Sequence, residues 1–247
     1  MHYIGASTKM YLGYAASLEW LHAIRRIIDT RPGVEGEVQA FVIPSFPLLE
    51  SALSILDSSD VWVGAQDCAW GGGALTGEVS PALLAEMGVR LVEIGHSERR
   101  SLFGETEDVV RRKTRAALQA GLTPLLCVGE DARTEPEHAA ATCRDQVLSA
   151  VDGAELERVI LAYEPVWAIG ASEPAAPAYA NQVIAALRRL LAESCRGARA
   201  RIIYGGSAGP GLLPRLHEAD GLFLGRFAHD PANFEAVLDD ALGCIGG

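Results

Sequence analysis

The chain lacks the cysteine spacing of a disulfide framework. Its five cysteines (Cys68, Cys127, Cys143, Cys195 and Cys244) are an odd number with no paired spacing, which fits a reducing, cytoplasmic setting. There is no CxxC, no HExxH and no cluster of His and Cys, so no metal site is expected. No basic tract offsets the net charge of −11, and phosphate-backbone binding needs clustered Lys and Arg, so nucleic acid is not an expected partner. The N-terminus has neither a basic region nor a long apolar segment, so neither a signal peptide nor a membrane span is expected. No Pro/Ser-rich linker or low-complexity run divides the 247 residues, a length that suits one α/β barrel. An acidic protein of this kind can still bind a single anion through backbone dipoles and one local cation.

What the chain does have is a recurring alternation. Apolar runs near 2–6, 37–43, 60–65, 89–94, 122–127, 158–163, 199–204 and 220–224 are mostly continuous, as strands buried on both faces should be. Helical patterns lie between them. The first runs from Ser17, a candidate N-cap, to Asp29, with Leu18, Leu21, Ile24 and Ile28 on one face. The fourth runs from Thr106 as cap to Gly121 as stop. The sixth follows Pro177, and the last opens on Asp230-Pro231, a cap followed by the residue favoured at the first helical position. Eight such alternations predict a single closed (β/α)8 barrel over residues 1–247. The competing doubly wound sheet would show a glycine fingerprint after the first strand, and Gly5-Ala6-Ser7-Thr8-Lys9 is not one.

In a barrel the strand C-termini share one face, where catalytic groups sit. Three ionisable residues fall there: Lys9 after strand one, His96 after strand four and Glu164 after strand six. The run Leu91–Arg100 places His96 between a buried strand and a helix start at Ser97. A helix N-terminus favours a neutral imidazole, which can polarise a carbonyl. Glu164 closes an apolar strand with Pro165 and Trp167 behind it; such partly desolvated surroundings make a carboxylate a stronger base. Taken singly, each has an equally good structural reading: a loop lysine, a core histidine, a rim carboxylate. Together at one mouth they point to proton transfer. The loops Tyr204-Gly205-Gly206-Ser207 and Leu224-Gly225-Arg226 follow strands seven and eight, where barrels often hold phosphate on backbone N–H groups.

These segments give the chain a full-length resemblance to the triosephosphate isomerase family. It is carried by Lys9-Met10, Ala65-Gln66, Leu75-Thr76-Gly77-Glu78, Ile94 to Arg100, Cys127-Val128-Gly129-Glu130, Ala162 to Gly170 and Tyr204 to Ser207. The resemblance implies a TIM barrel that carries a proton between carbons of a phosphorylated short-chain sugar. Glu164 would be the base, His96 the neutral electrophile and Lys9 the fixed positive charge. Glu98 would anchor Lys9; Gly170, Gly206, Ser207 and the loop at Gly225 would hold phosphate; residues 165–175 would form a lid. No cofactor is expected, because this chemistry needs only a base and an electrophile. The third loop, Gln66 to Ser80, would enter a second subunit with Thr76 at its tip, giving a homodimer, although Trp70-Gly71-Gly72-Gly73 is unusual there.

Three positions depart from the family pattern. Ser7 stands where the family has asparagine, with shorter reach and more room beside the reacting carbons. The lid tip reads Gly170-Ala171-Ser172-Glu173-Pro174, and Arg226 replaces a glycine, where it could bond phosphate or a distal hydroxyl or face solvent. Two of the changes lie beside the substrate. They favour a paralogue acting on a four-carbon ketose phosphate such as an erythrulose phosphate. A triosephosphate isomerase proper and a non-catalytic sugar-phosphate-binding barrel are the competing readings.

Overall fold

In the computed structural model, which describes residues 1–31, 36–170, 174–195 and 198–245, the apolar runs become eight parallel strands: β1 (His2–Ser7), β2 (Val38–Ile43), β3 (Trp62–Ala65), β4 (Leu91–Ile94), β5 (Thr123–Val128), β6 (Ile160–Tyr163), β7 (Arg201–Gly206) and β8 (Gly221–Leu224). Each pairs with the next in chain order, and β8 closes on β1 with Tyr3 opposite Gly221. No strand end moves by more than two residues from the sequence expectation.

The closure splits the core in two because successive strand side chains face opposite ways. One set fills the barrel, with Tyr3, Phe41, Leu91, Leu125, Ile160, Ile203 and Phe223 among its members. The other set, including Ile4, Val42, Val92, Ile94, Leu126 and Leu161, packs outward against the helices. Both faces of each strand are therefore buried, which is why the strands read as continuous apolar runs.

The helices are α1 (Tyr14–Asp29), α2 (Leu49–Ile55), α3 (Pro81–Met87), α4 (Ser97–Phe103), α5 (Glu107–Gln119), α6 (Pro136–Ala150), α7 (Pro177–Ser194) and α8 (Pro231–Ile245). Thr106 caps α5, its hydroxyl accepting from Val109 N–H at 3.4 Å, and Gly121 follows it with φ +83°. Asp230 Oδ1 accepts from Ala232 N–H at 3.0 Å and Pro231 opens α8.

Three details differ from expectation. Ser17 does not cap α1, which starts at Tyr14 after Gly13; Ser17 is buried and its hydroxyl donates back to Leu12 C=O at 3.5 Å. The connection after β4 carries two helices, α4 and α5, because Gly104 takes φ +69° and ends the first. Among the described residues β7 is followed by a single 3-10 turn, Leu213–Arg215, and not by an α-helix; Gly209, Pro210, Gly211 and Pro214 crowd that stretch and oppose helix formation.

No helix among the described residues is long and apolar enough to cross a membrane. The third loop is tied down at its base. Buried Lys113 bonds both Asp67 oxygens at 2.7 Å and Glu105 at 2.5 Å, and Arg99 adds a 2.9 Å bridge to Asp67. Higher up, Ala69 N–H reaches Val79 C=O at 2.8 Å and the Arg112 guanidinium lies 4.8 Å over the Trp70 ring.

Candidate active site

A cavity of about 650 Å³ opens at the C-terminal face of the barrel, and all ten sequence-predicted site residues line it. Ser7 and Lys9 come from the end of β1, His96 and Glu98 from the turn into α4, and Glu164 from the end of β6. Gly170 belongs to the connection after β6, Gly206 and Ser207 to the end of β7, and Gly225 and Arg226 to the end of β8.

Lys9 is held in an unfavourable backbone conformation, φ +47°. Two side chains fix it there through its carbonyl, which accepts from Ser45 Oγ at 2.7 Å and from Gln66 Nε2 at 2.7 Å. Such strain persists only where the surroundings over-determine it, and it commonly marks a functional position. The side chain is anchored as well, with Nζ 2.6 Å from Glu98 Oε1. Burial raises the carboxyl of Glu98, but the hydrogen bond and charge of Lys9, with a smaller pull from His96, together outweigh it and hold the group below the usual range.

α4 starts at Ser97, as the sequence suggests, and His96 supplies its cap. Its Nδ1 accepts the backbone N–H of Glu98 at 3.1 Å. An accepting Nδ1 carries no proton, so the neutral ring must carry its proton on Nε2. That nitrogen faces Glu164, with Oε2 3.6 Å away. His96 and Glu164 are both only 5% exposed. Glu164 Oε2 is buried with no hydrogen-bond partner, so an acceptor stands unspent next to an imidazole donor.

Two glycines make the seat of Glu164. A Cβ on Gly129 would lie 1.9 Å from the Glu164 carbonyl oxygen, and one on Gly205 would lie 2.6 Å from its Oε1. Gly205 thus clears space for the carboxylate, where the sequence suggested an anion-binding role for that loop. Behind the site, Glu130 Oε1 accepts from Trp167 Nε1 at 2.8 Å, Tyr179 OH at 3.0 Å and Tyr163 OH at 3.2 Å, fixing the aromatic wall where the lid begins.

The proposed lid, residues 165–175, is described at both ends; Ala171, Ser172 and Glu173 lie outside the described residues. Ser207 Oγ donates to Ala168 C=O at 3.4 Å, and Ala175 N–H donates to Tyr204 OH at 3.1 Å, so β7 contacts both flanks of the segment. Gly170 takes φ +74° and Gly206 φ +116°. The Arg226 guanidinium sits 5.9 Å over the Tyr11 ring, and a Cβ on Gly170 would lie 3.8 Å from its Nη2. It therefore lines the cavity mouth, with Tyr11 and Gly170 beside it. His229 nearby is pushed down by burial and by the charges of Arg226 and Lys9.

Sequence reasoning missed Glu93. It lies inside β4, 4% exposed, on the inward-facing side with Leu91. Burial pushes its carboxyl up to about 7, against the opposing pull of His96, with Glu164 adding repulsion and Lys9 attraction. The signal was present: one carboxylate interrupts a strand otherwise buried and apolar. Ser45 and Gln66, which hold Lys9, were also missed as site residues.

Among the described residues no group of three or more His, Cys, Asp or Glu is placed to hold a metal ion. The arrangement offers a buried carboxylate, an imidazole facing it and the ammonium of Lys9, with the Arg226 guanidinium at the mouth. Glycine- and serine-lined loops complete it as an anion site.

Comparison with known proteins agrees with this geometry. The family model described as triosephosphate isomerase matches residues 2–241. The chain is 49% identical over 245 residues to the L-erythrulose-1-phosphate isomerase of Pectobacterium atrosepticum, covering 96% of this chain and 95% of that protein. It is 39% identical over 248 residues to the triosephosphate isomerase of Pelobacter propionicus, covering 96% and 97%. The crystal structure of triosephosphate isomerase from Bartonella henselae superposes with a TM-score of 0.81 at 32% identity, covering 96% of this chain and 98% of that one. With barrel, mouth residues and full-length similarity in agreement, the chain belongs to the triosephosphate isomerase family.

Proposed function

We propose that this protein is a cytoplasmic, homodimeric sugar-phosphate isomerase that works through an enediolate without a cofactor and prefers a four-carbon ketose phosphate, L-erythrulose 1-phosphate. The observation that carries the chemistry is the facing pair of His96 Nε2 and Glu164 Oε2, 3.6 Å apart in a buried mouth beside Lys9. Glu164 takes the proton from the carbon next to the carbonyl. Its electron pair moves into a carbon–carbon double bond while the carbonyl oxygen gains negative charge, which the Nε2–H of His96 and the ammonium of Lys9 stabilise. Passage of the hydroxyl proton from the neighbouring oxygen to the former carbonyl oxygen by way of His96 Nε2, with return of the carbon-bound proton to the neighbouring carbon, completes the shift. With a 2-ketotetrose 1-phosphate the proton leaves C3 and returns to C2. The carbonyl then stands at C3, which makes the product a 4-phosphate when numbered from its other end. Closure of residues 165–175 keeps water from the enediolate.

The four-carbon preference is supported by Ser7, which leaves space beside the reacting carbons, and by the 49% and 41% identical relatives named L-erythrulose-1-phosphate isomerase from Pectobacterium atrosepticum and Rhizobium etli. A triosephosphate isomerase proper is the second reading, favoured by the 39% identical relative of that name. The intact set of Lys9, His96 and Glu164 speaks against a purely binding barrel. The homodimer reading is supported by large apolar side chains left exposed after β1 and on α4: Met10 at 89%, Leu102 at 74% and Phe103 at 68%.

Exchange of solvent deuterium into L-erythrulose 1-phosphate tests the mechanism. Wild-type protein should exchange, and Glu164→Gln should lower the rate by about 10²–10⁴-fold, the range for a positioned base. Exchange that survives the substitution unchanged would place the base elsewhere.

A further inference from the structure

We propose that the Arg226 side chain is a phosphate clamp and that Tyr11 is the residue that positions it, so that a ring on the Lys9 turn sets how tightly the substrate's phosphate is held. This inference rests on the sugar-phosphate reading above and goes beyond it, because it names a cation for the phosphate and a side chain that acts only through that cation.

The placement of Tyr11 begins in the strained turn after β1. Lys9 takes φ +47°, and Tyr11 N–H donates to Thr8 C=O at 3.2 Å, closing a turn over Thr8–Tyr11. Lys9 and Tyr11 both line the cavity as a result. Tyr11 remains 56% exposed, so core packing does not account for its ring. The ring instead meets two side chains of the segment after β8. The Arg226 guanidinium lies 5.9 Å over its centroid, and the His229 ring lies 5.4 Å away, tilted by 51°. A guanidinium at that distance is attracted to the face of the ring.

The backbone under Arg226 is fixed independently. Arg226 opens a 3-10 turn, Arg226–His229, directly after Gly225. Ala228 N–H donates to Gly225 C=O at 3.0 Å, buried Trp20 Nε1 donates to Ala228 C=O at 2.7 Å, and Asn233 Nδ2 donates to Phe227 C=O at 2.9 Å. The guanidinium reaches the glycine-lined side of the cavity. A Cβ on Gly170 would lie 3.8 Å from its Nη2, and Gly170, Gly206, Ser207 and Gly225 line the same space.

Charge then selects the ligand group. On a chain of net charge −11, a dianionic phosphate needs local positive charge. Lys9 is committed to Glu98 at 2.6 Å. Arg215 also lines the cavity, but among the described residues it has neither an ion pair nor a ring contact to fix it. Arg226 is fixed by a ring and, among the described residues, has no carboxylate partner. A carboxylate would occupy its N–H donors; an aromatic face leaves donors for a phosphate, whose oxygens match the planar fork of a guanidinium.

The experiment measures competitive inhibition by inorganic phosphate, together with KM and kcat, on whichever of L-erythrulose 1-phosphate and dihydroxyacetone phosphate the protein turns over. It compares wild type, Arg226→Ala, Tyr11→Leu, Tyr11→Phe and the double variant Arg226→Ala/Tyr11→Leu. Arg226→Ala should weaken phosphate inhibition and raise KM by about tenfold, with a smaller change in kcat. Tyr11→Leu should weaken phosphate inhibition by about two- to fivefold, the effect of an exposed cation–π contact. Tyr11→Phe keeps the ring and should match wild type. The double variant should match Arg226→Ala alone, because Tyr11 acts through Arg226. Additive losses in the double variant, or a loss with Tyr11→Phe equal to that with Tyr11→Leu, would overturn the positioning role. Unchanged phosphate inhibition in Arg226→Ala would overturn the clamp and leave the sugar-phosphate reading intact. A wild type that turns over neither sugar phosphate would overturn that reading, and the clamp with it.

Discussion

Replacing Glu93 by glutamine should make the barrel more stable, and increasingly so as pH rises. Burial raises the Glu93 carboxyl from an ordinary value of 4.5 to about 7. The folded protein therefore keeps this proton through a range in which the unfolded chain has released it. Unfolding in that range releases a proton, so rising pH favours the unfolded state. The penalty is absent below about pH 4.5, grows between the two values and is complete above about 7. A difference of about 2.5 units at 1.36 kcal/mol each comes to about 3 kcal/mol. Glutamine has a similar shape and no proton to lose, so its stability escapes this term. Urea unfolding of both proteins at equal concentration, from pH 4.5 to 8, reads the effect directly. Comparison within the pair cancels the other titrating groups, including Asp67, whose burial also raises it. The predicted gap between the two proteins widens by about 3 kcal/mol from the lowest to the highest pH. Parallel stability curves would show that Glu93 is not held protonated by burial, and the reasoning about its environment would fail.

Other consequences follow from the same geometry. Gly205→Ala puts a methyl 2.6 Å from Glu164 Oε1; a displacement of about 1 Å at the base should lower kcat by about 10²-fold, and a kcat within twofold of wild type would refute the packing argument. Arg226→Ala should raise KM for the phosphorylated substrate by about tenfold, with a smaller change in kcat, if the guanidinium at the mouth binds phosphate; an unchanged KM would assign the residue to its contact with Tyr11 alone. Light scattering at micromolar concentration should give the mass of a dimer, and a monomer there would remove the subunit-contact role of residues 66–80.

Much of the fold and the site is legible in the residues, for physical reasons. Strands buried on both faces are largely apolar, so eight continuous runs alternating with helical patterns point to a parallel sheet covered on both sides. The closure of that barrel then gathers strand ends far apart in the chain, which is why Lys9, His96 and Glu164 can be grouped from position alone. Ends and caps are less legible. Ser17 has the right residue type for a cap, but the chain enters α1 three residues earlier, and a serine in a first turn can as well donate backwards. The helix expected after β7 gives way to glycine and proline. Glu93 escapes when its strand is read as a run and not residue by residue. Of the groups that act on its charge, Lys9 and Glu164 come from other strands and meet it only when the barrel closes. The close fit of Gly205 to Glu164 is hidden for a similar reason, since the carboxylate it accommodates arrives from a different strand.

The central claim is that the proton-transfer site of this family has been retained here for a four-carbon substrate. The most direct test is the kcat/KM of purified wild-type protein on L-erythrulose 1-phosphate and on dihydroxyacetone phosphate under the same conditions. The tetrulose should be preferred by at least tenfold. Triose turnover near the diffusional ceiling of about 10⁸–10⁹ M⁻¹s⁻¹, with none on the tetrulose, would contradict the claim.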